Sequence, residues 1–386
     1  MKDKRMLLPI LSLVFAFAVI PTAAAALDLD AAAALLMDAR SGRILYAENI
    51  DTPLPVASLT KMMTLTIALE AIDRGEFQLT DVITASPHAA SKRGSRIWLE
   101  AGEQMTLNEL LYAIAVGSAN DAAVAVAEYI AGSEDSFVAL MNQRARELGL
   151  ENSYFANSSG LPLEDGTEHS MTARDVANLA RHALTVPRMM EYVSTYEYTM
   201  RRDTTRIPVL WNNNKLLRRY SGVDGIKTGF TTKAGYCIAV SAVRDGLRLI
   251  GVVLGSPSEA AREQDVRTLL DWGFRRYYNY TAAEKGTVLG ELQIWNGNPS
   301  SVEVVLGEPF AVTVERGREG ELELESELFA EIRAPLAAQA IVGTLTAKLD
   351  GEILGSAPLV VGEAVERAGF AALVGRTLKS MAEAAF

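Results

Sequence analysis

An apolar hairpin in the second half of the 386-residue chain limits its fold more than any other feature. Residues 236–243 and 247–254 are mostly apolar, and the pair Asp245-Gly246 that joins them is typical of a two-residue β-turn. A strand whose side chains are apolar on both sides must be covered on both faces. The sequence therefore predicts two central antiparallel strands of a sheet buried on both faces.

The segments before and after this hairpin predict a mixed α/β (α+β) domain at residues 27–278. Residues 35–38 and 43–46 are typical of an opening hairpin. Helical periodicity begins at Ser58 and ends at Gly75, and Thr106 with Glu109 forms a capping box for a second helix. Further helices are predicted at residues 120–132, 133–148, 172–184 and 258–278. The sheet is thus expected to form from the two ends of the domain, with a helical block inserted between them.

Two further segments follow this domain. Residues 279–361 contain short valine- and glutamate-rich alternating stretches, which predict a small all-β domain without a catalytic grouping. In residues 362–386, one helical face carries the apolar side chains Phe370, Leu373, Val374, Leu378 and Met381. This amphipathic helix either packs on the β domain or lies on a membrane surface as an anchor. The sequence leaves both alternatives open.

The N-terminus is typical of an exported protein. Lys2, Lys4 and Arg5 precede an apolar run at residues 6–20, and small residues end at Ala26. Residues 1–26 are therefore predicted to be a secretory signal peptide, with an uncleaved anchor as the alternative. The formal net charge of -11 argues against nucleic-acid binding. Cys237 is the only cysteine and lies in an apolar run, which favours a buried packing role over a nucleophilic one.

Three short motifs occur once each and in a fixed order. They are Ser58-Leu-Thr-Lys61, Ser118-Ala-Asn120 and Lys227-Thr228-Gly229. Each motif alone is weak evidence, but the set supplies the groups needed for acyl transfer through a serine ester without histidine.

The first motif supplies a nucleophile and a base. Ser58 and Lys61 share one face at a helix start, so the amine can reach the hydroxyl. The lysine acts as a base only if desolvation or a neighbouring cation lowers its pKa, and Lys227 is the candidate cation. The helix N-terminus favours a developing oxyanion.

The other motifs supply substrate contacts. The Ser118 hydroxyl could relay a proton between Lys61 and a leaving amine, and Asn120 offers a donor and an acceptor to a substrate amide. Lys227 and Thr228 can bind a terminal carboxylate, while Gly229 allows close approach to the backbone. Metal hydrolysis and α/β-hydrolase chemistry have no signature here, because neither H-E-x-x-H nor G-x-S-x-G occurs.

At these motifs the chain resembles the low-molecular-weight penicillin-binding proteins, which are serine-type D-Ala-D-Ala carboxypeptidases. The resemblance extends over nearly the whole mature chain. It includes residues 118–122, 157–161, 223–230 and 233–236. One departure is Ala119, where the family commonly has glycine, and this should only tighten the loop slightly. The resemblance implies a penicilloyl-serine-transferase (β-lactamase-like) fold, removal of the C-terminal D-Ala from peptidoglycan stem pentapeptides, and no cofactor.

The resemblance also implies a role for each site residue. Ser58 would be the acylated nucleophile, Lys61 the base and Ser118 the proton relay, and Asn120 would hold the peptide amide. Lys227 and Thr228 would bind the carboxylate with help from Arg262, and the backbone N–H groups of Ser58 and Phe230 would form the oxyanion hole. β-Lactams are implied inhibitors, and the periplasm or the outer face of the bacterial cytoplasmic membrane is the implied location. The alternatives are a β-lactamase and a catalytically silent protein that binds wall peptides.

Overall fold

The structure, a computed structural model, describes residues 27–163, 165–201, 209–329 and 332–383. The predicted signal peptide lies outside these residues.

The N-terminal part of the chain alternates between strands and helices. Its strands are β1 (Ala33–Asp38), β2 (Ile44–Glu48), β3 (Leu54–Pro55), β4 (Val82–Thr84), β5 (Gln104–Thr106), β6 (Ser170–Met171), β7 (Glu197–Thr199), β8 (Val209–Trp211), β9 (Val223–Thr231), β10 (Gly235–Arg244) and β11 (Leu247–Ser256). Its helices are α1 (Lys61–Asp73), α2 (Pro87–Ala90), α3 (Leu107–Ala115), α4 (Asn120–Ala131), α5 (Glu134–Glu147), α6 (Ala173–Ala183), α7 (Met189–Val193), α8 (Leu216–Arg219) and α9 (Glu259–Arg276).

A five-stranded antiparallel sheet organises this part in the order β2-β1-β11-β10-β9. The predicted hairpin of β10 and β11 occupies central positions, which confirms that prediction. Side chains from β10 and β11 enter one hydrophobic core with α9 and a second core with α1 and α6. Because strands from both ends of the domain meet in this sheet, the helical block lies between them in sequence, as predicted.

Local interactions explain where α3 begins and where α9 ends. The capping box at α3 is formed, since the Thr106 side chain accepts from the Glu109 N–H and the Glu109 carboxylate accepts from the Thr106 N–H. Helix α9 ends at Arg276, two residues before its predicted end, because Tyr277 pairs with Glu315 in a strand of the next domain.

The C-terminal part is built from strands, which confirms the predicted all-β domain. The strands are β12 (Tyr277–Ala283), β13 (Val288–Gln293), β14 (Gly297–Asn298), β15 (Ser301–Leu306), β16 (Phe310–Glu315), β17 (Glu323–Leu328), β18 (Ile341–Leu349), β19 (Glu352–Val361) and β20 (Glu366–Arg367). A five-stranded sheet in the order β13-β15-β19-β18-β17 packs with the β12–β16 pair around a separate apolar core.

Helix α10 (Phe370–Glu383) follows the β domain. Phe370 and Leu378 are 84% and 63% exposed, so these two side chains do not pack on the β domain. Arg376 connects the helix to that domain through a 2.7 Å hydrogen bond from Nη1 to the Gly297 carbonyl. The side chain of Met381, the last residue of the predicted apolar face, lies outside the described part. In the described ranges, we find no helix with the length and apolar character needed to cross a membrane.

Candidate active site

The serine of the first motif lies in a tight turn at the start of α1. Ser58 belongs to the 3₁₀ turn Ala57–Thr60, and Lys61 is the first residue of the helix. The Lys61 Nζ atom lies 3.0 Å from Ser58 Oγ. The amine therefore reaches the hydroxyl, as the three-residue spacing predicts.

Two further acceptors hold the Lys61 amine in a fully buried position. Nζ donates to Asn120 Oδ1 at 2.7 Å and to the Ser159 carbonyl at 2.5 Å. A neutral amine has two hydrogens and one lone pair. With both hydrogens engaged by these acceptors, the lone pair is left for the hydroxyl proton of Ser58.

The surroundings of Lys61 favour this neutral form. Burial lowers the pKa of Lys61 well below its ordinary value, and the charge of Lys227 lowers that pKa further. Asp121 acts in the opposite direction and is outweighed. Both conditions for a basic Lys61, desolvation and a neighbouring cation, are therefore present at this position.

The second motif lies between α3 and α4 and joins the two lysines. Ser118 is buried, has a φ of 55°, and accepts from Lys227 Nζ at 2.9 Å. Asn120 accepts from Lys61 through Oδ1 and donates through Nδ2 to the Arg93 carbonyl at 2.6 Å. An amide nitrogen carries two hydrogens, so the second one of Asn120 is left for a substrate as far as the described residues show.

The lysine of the third motif is buried on β9, an edge strand of the sheet. Besides Ser118, its Nζ atom donates to the Thr228 carbonyl at 3.1 Å. Burial, and then the charge of Arg262, lower the pKa of Lys227 to about 7. An approaching carboxylate would act in the opposite direction and favour the charged form of this lysine.

Gly229 and Phe230 bring β9 against the turn that carries Ser58. A β-carbon at Gly229 would lie 2.8 Å from the Val56 carbonyl oxygen and 3.1 Å from the Ser58 nitrogen, so the absence of a side chain allows this approach. Phe230 is 53% exposed, and its ring centroid lies 4.3 Å from that of Tyr236. The strand therefore forms one wall beside the nucleophile.

One open cleft of about 230 Å³ brings most of the predicted site residues together. Its lining comprises Ser58, Ser118, Thr228, Gly229, Phe230 and Arg262, together with Ser95, Asn213, Tyr236 and Glu259. Lys61, Asn120 and Lys227 are buried directly behind this lining. The last four lining residues were not expected from the sequence. Ser95 and Asn213 lie in loops without a motif, and only the folded chain brings them to the cleft.

Arg262 lies on α9 at the part of the cleft that Tyr236 also lines. Its side chain is 5% exposed, and Nη2 lies 3.6 Å from Glu259 Oε1. Its buried Nε has no hydrogen-bond partner among the described residues. The guanidinium carbon lies 6.0 Å from the Tyr236 ring centroid. A cation that is buried but not fully paired is suited to an anionic group of a ligand.

A loop without a predicted role supplies one of the acceptors for Lys61. Asn157 Oδ1 accepts from the N–H groups of Ser159 at 3.0 Å and Gly160 at 2.8 Å. Burial lowers the pKa of His169 to about 4, so its ring is neutral, and its Nε2 lies 3.1 Å from the same Asn157 oxygen. The loop is thereby fixed with the Ser159 carbonyl towards Lys61. A backbone acceptor of this kind leaves no mark in the sequence.

Cys237 lies on β10 and is fully buried. Its Sγ donates to the Ala234 carbonyl at 3.5 Å, and burial raises the pKa of the thiol to about 11. The packing role predicted for this cysteine is confirmed. Over the described ranges, we find no cluster of three or more His, Cys, Asp or Glu side chains able to hold a metal ion.

Comparison with known proteins shows the family to which the chain belongs. Residues 20–258 match the family model for D-alanyl-D-alanine carboxypeptidase, and residues 277–367 match the model for the C-terminal domain of penicillin-binding protein 5. The D-alanyl-D-alanine carboxypeptidase DacF of Bacillus subtilis (strain 168) is 37% identical over 350 residues, covering 90% of this chain and 89% of the relative.

Solved structures of two bacterial proteins are also similar to this chain. A peptidoglycan synthesis regulatory factor from Streptococcus pneumoniae is 27% identical with a TM-score of 0.81, covering 88% of this chain and 100% of that one. A penicillin-binding protein from Listeria monocytogenes, solved in its ampicillin-bound form, is 32% identical with a TM-score of 0.56, covering 64% of this chain and 99% of that one. The chain therefore belongs to the D-alanyl-D-alanine carboxypeptidase family, and it is a hydrolase with the two-domain penicillin-binding protein fold.

Proposed function

We propose that Ser58 is the acylated nucleophile of this carboxypeptidase and that Lys61 is its general base. The observation that carries the proposal is the position of the Lys61 amine, which lies 3.0 Å from Ser58 Oγ. This amine is buried, and its pKa is lowered. Both hydrogens of the neutral amine have acceptors in the protein. Its lone pair is therefore directed to the hydroxyl that must lose a proton.

In the acylation step, Ser58 Oγ transfers its proton to Lys61 Nζ and bonds to the carbonyl carbon of the penultimate D-Ala. The negative charge that develops on the carbonyl oxygen is stabilised by the backbone N–H groups of Ser58 and Phe230. The bond to the terminal D-Ala then breaks, and its nitrogen receives the proton. The products are free D-alanine and an acyl ester on Ser58.

Ser118 relays the proton to the leaving amine. Its hydroxyl accepts from Lys227 Nζ at 2.9 Å and lines the cleft beside Ser58. In deacylation, water attacks the ester, and Lys61 accepts the water proton and returns a proton to Ser58 Oγ. The serine is regenerated, and the peptide leaves with a new carboxyl terminus.

The carboxylate of the terminal D-Ala binds to Lys227, Thr228 and Arg262. Lys227 and Arg262 are buried cations near the cleft, and the Thr228 hydroxyl is a neutral donor on its lining. A buried charge has a high cost without a counterion, so the bound carboxylate compensates both cations. This preference for a free carboxyl terminus favours a carboxypeptidase acting on peptidoglycan stem peptides ending in D-Ala-D-Ala. The remaining stem peptide amide is held by Asn120.

β-Lactams are proposed to acylate the same serine, because the ampicillin-bound relative shares this fold. A β-lactamase would use the same nucleophile but would need fast hydrolysis of the drug ester. We expect this protein to release D-alanine from a synthetic pentapeptide ending in D-Ala-D-Ala and to remain acylated by a cephalosporin over many substrate turnovers. Rapid cephalosporin hydrolysis without D-alanine release would contradict the proposal. A catalytically silent protein would do neither.

We also propose that the enzyme is exported and that α10 lies on the outer surface of the cytoplasmic membrane. The support is the exposed apolar face formed by Phe370, Val374 and Leu378. A chain ending at Gly369 keeps the β domain but lacks the helix. It is expected to bind phospholipid vesicles at least about tenfold less than the mature protein in a flotation assay. Equal binding of the two proteins would reject the helix as the anchor.

A further inference from the structure

A buried carboxylate outside the cleft contacts two loops, one carrying Ser158 and the other Lys92, that lie beside the acceptors of the Lys61 amine. Glu134 is the first residue of α5, and its side chain is 9% exposed. Its Oε1 accepts from the N–H and hydroxyl of Ser158, at 3.1 and 2.8 Å. Its Oε2 lies 2.8 Å from His88 Nε2 and 2.9 Å from Lys92 Nζ. Burial acts to raise the pKa of Glu134, but the hydrogen bonds from Lys92, Ser158 and His88 outweigh it and lower that pKa to about 2.

The first oxygen of this carboxylate fixes one acceptor of the Lys61 amine. Glu134 Oε1 holds the Ser158 N–H and hydroxyl, while Thr64 Oγ1 donates to the Ser158 carbonyl at 2.6 Å. The peptide unit on each side of Ser158 is therefore restrained. The next carbonyl, that of Ser159, accepts from Lys61 Nζ.

The second oxygen fixes the other acceptor. Glu134 Oε2 pairs with Lys92, and the neighbouring Arg93 carbonyl accepts from Asn120 Nδ2 at 2.6 Å. Asn120 Oδ1 in turn accepts from Lys61 Nζ at 2.7 Å. Each carboxylate oxygen is thus hydrogen-bonded to a residue next to one that forms or contacts an acceptor of the amine hydrogens. Oε1 is connected in this way to the Ser159 carbonyl, and Oε2 to Asn120.

We infer that Glu134 is a positioning residue that holds the Ser159 carbonyl and the Asn120 amide where they direct the Lys61 lone pair towards Ser58. This inference rests on the proposed role of Lys61 as the base. Glu134 does not touch substrate and transfers no proton. Its effect is geometric, and a displacement of about 1 Å at a reacting group can reduce a rate by about 10²-fold.

The test separates acylation chemistry from binding by measuring how the acylation rate depends on the concentration of a fluorescent penicillin. In Glu134→Ala, we expect the limiting acylation rate constant to fall about 10–100-fold, with the noncovalent dissociation constant changed less than about twofold. Glu134→Gln retains an acceptor for Ser158 and should recover most of this loss. Lys92→Met removes one of the two contacts to Oε2 and leaves that of His88, and its limiting acylation rate constant should fall about 3–10-fold.

Glu70→Ala is the matched control. Like Glu134, Glu70 is a mostly buried carboxylate with one basic partner and one histidine, here Arg144 at 2.7 Å and His182 at 2.6 Å. Its contacts join α1, α5 and α6 and do not reach the acceptors of Lys61. We expect Glu70→Ala to lower the melting temperature and leave the limiting acylation rate near wild type.

The inference would be overturned if the limiting acylation rate constant of Glu134→Ala were unchanged. It would also be overturned if that rate constant fell by the same factor in Glu134→Ala and Glu70→Ala. If Glu134→Ala does not fold, Glu134→Gln and Lys92→Met decide instead, and wild-type rates in both would overturn it. Penicillin labelling of Ser58→Ala as strong as wild type would instead refute the proposed nucleophile. The two failures are therefore distinguishable.

Discussion

Replacing Lys61 by methionine is expected to slow acylation of Ser58 by about 10³-fold, the middle of the usual range for general-base catalysis. Methionine fills a similar volume but has no lone pair able to accept the hydroxyl proton. It also leaves the Asn120 and Ser159 oxygens without the amine that they now accept from. The second-order rate constant for labelling by a fluorescent penicillin measures the effect.

Lys61→Arg separates the charge of this side chain from its role as a base. A guanidinium remains protonated in proteins, so it places a permanent cation at this position but cannot take a proton. We expect Lys61→Arg to be impaired about as strongly as Lys61→Met. A rate within about tenfold of wild type in either variant would show that another group is the base.

Replacing Gly160 by alanine is expected to be the most damaging single change in the site that removes no chemical group. Gly160 has a φ of +86°, and a β-carbon there would lie 2.1 Å from the Ala57 carbonyl oxygen and 3.0 Å from the Ser58 nitrogen. The backbone of the turn that carries Ser58 would therefore have to move in this variant. Adding the strain of a left-handed alanine to this overlap, we expect the free energy of unfolding to fall by about 2–5 kcal/mol.

Gly166→Ala provides the control for backbone strain alone. Gly166 lies in the same region with a φ of +84°, and no atom lies within 4 Å of its β-carbon position. With the strain of a left-handed alanine alone, the free energy of unfolding should fall by only about 1–2 kcal/mol, and the acylation rate should stay near wild type. Denaturant unfolding and penicillin labelling of both variants make the comparison. Equal stability and labelling for the two would contradict a tight contact between Gly160 and the Ser58 turn.

The three motifs could be predicted because each is local. Ser58 and Lys61 lie one helical turn apart, so their spacing alone brings the amine to the hydroxyl. The apolar hairpin could also be predicted from its own sequence, because a strand that is buried on both faces requires apolar side chains at every position. Both signals lie within a few residues of sequence and depend little on distant parts of the chain.

The support around the motifs could not be predicted in the same way. Ser159 contributes a backbone carbonyl, and any residue type has one. Glu134 reaches the site through Ser158 and Lys92, which lie 24 and 42 residues away in sequence. One glutamate at a helix start is an ordinary feature of a helix N-terminus. Its position beside both loops follows only from tertiary packing.

The identity of the acylated residue is the central claim, and peptide mapping of the penicillin-treated protein tests it most directly. The account predicts one penicilloyl adduct per molecule, carried by Ser58, and no adduct in Ser58→Ala. An adduct on Ser118 or Cys237, or labelling of Ser58→Ala to the wild-type level, would contradict the account.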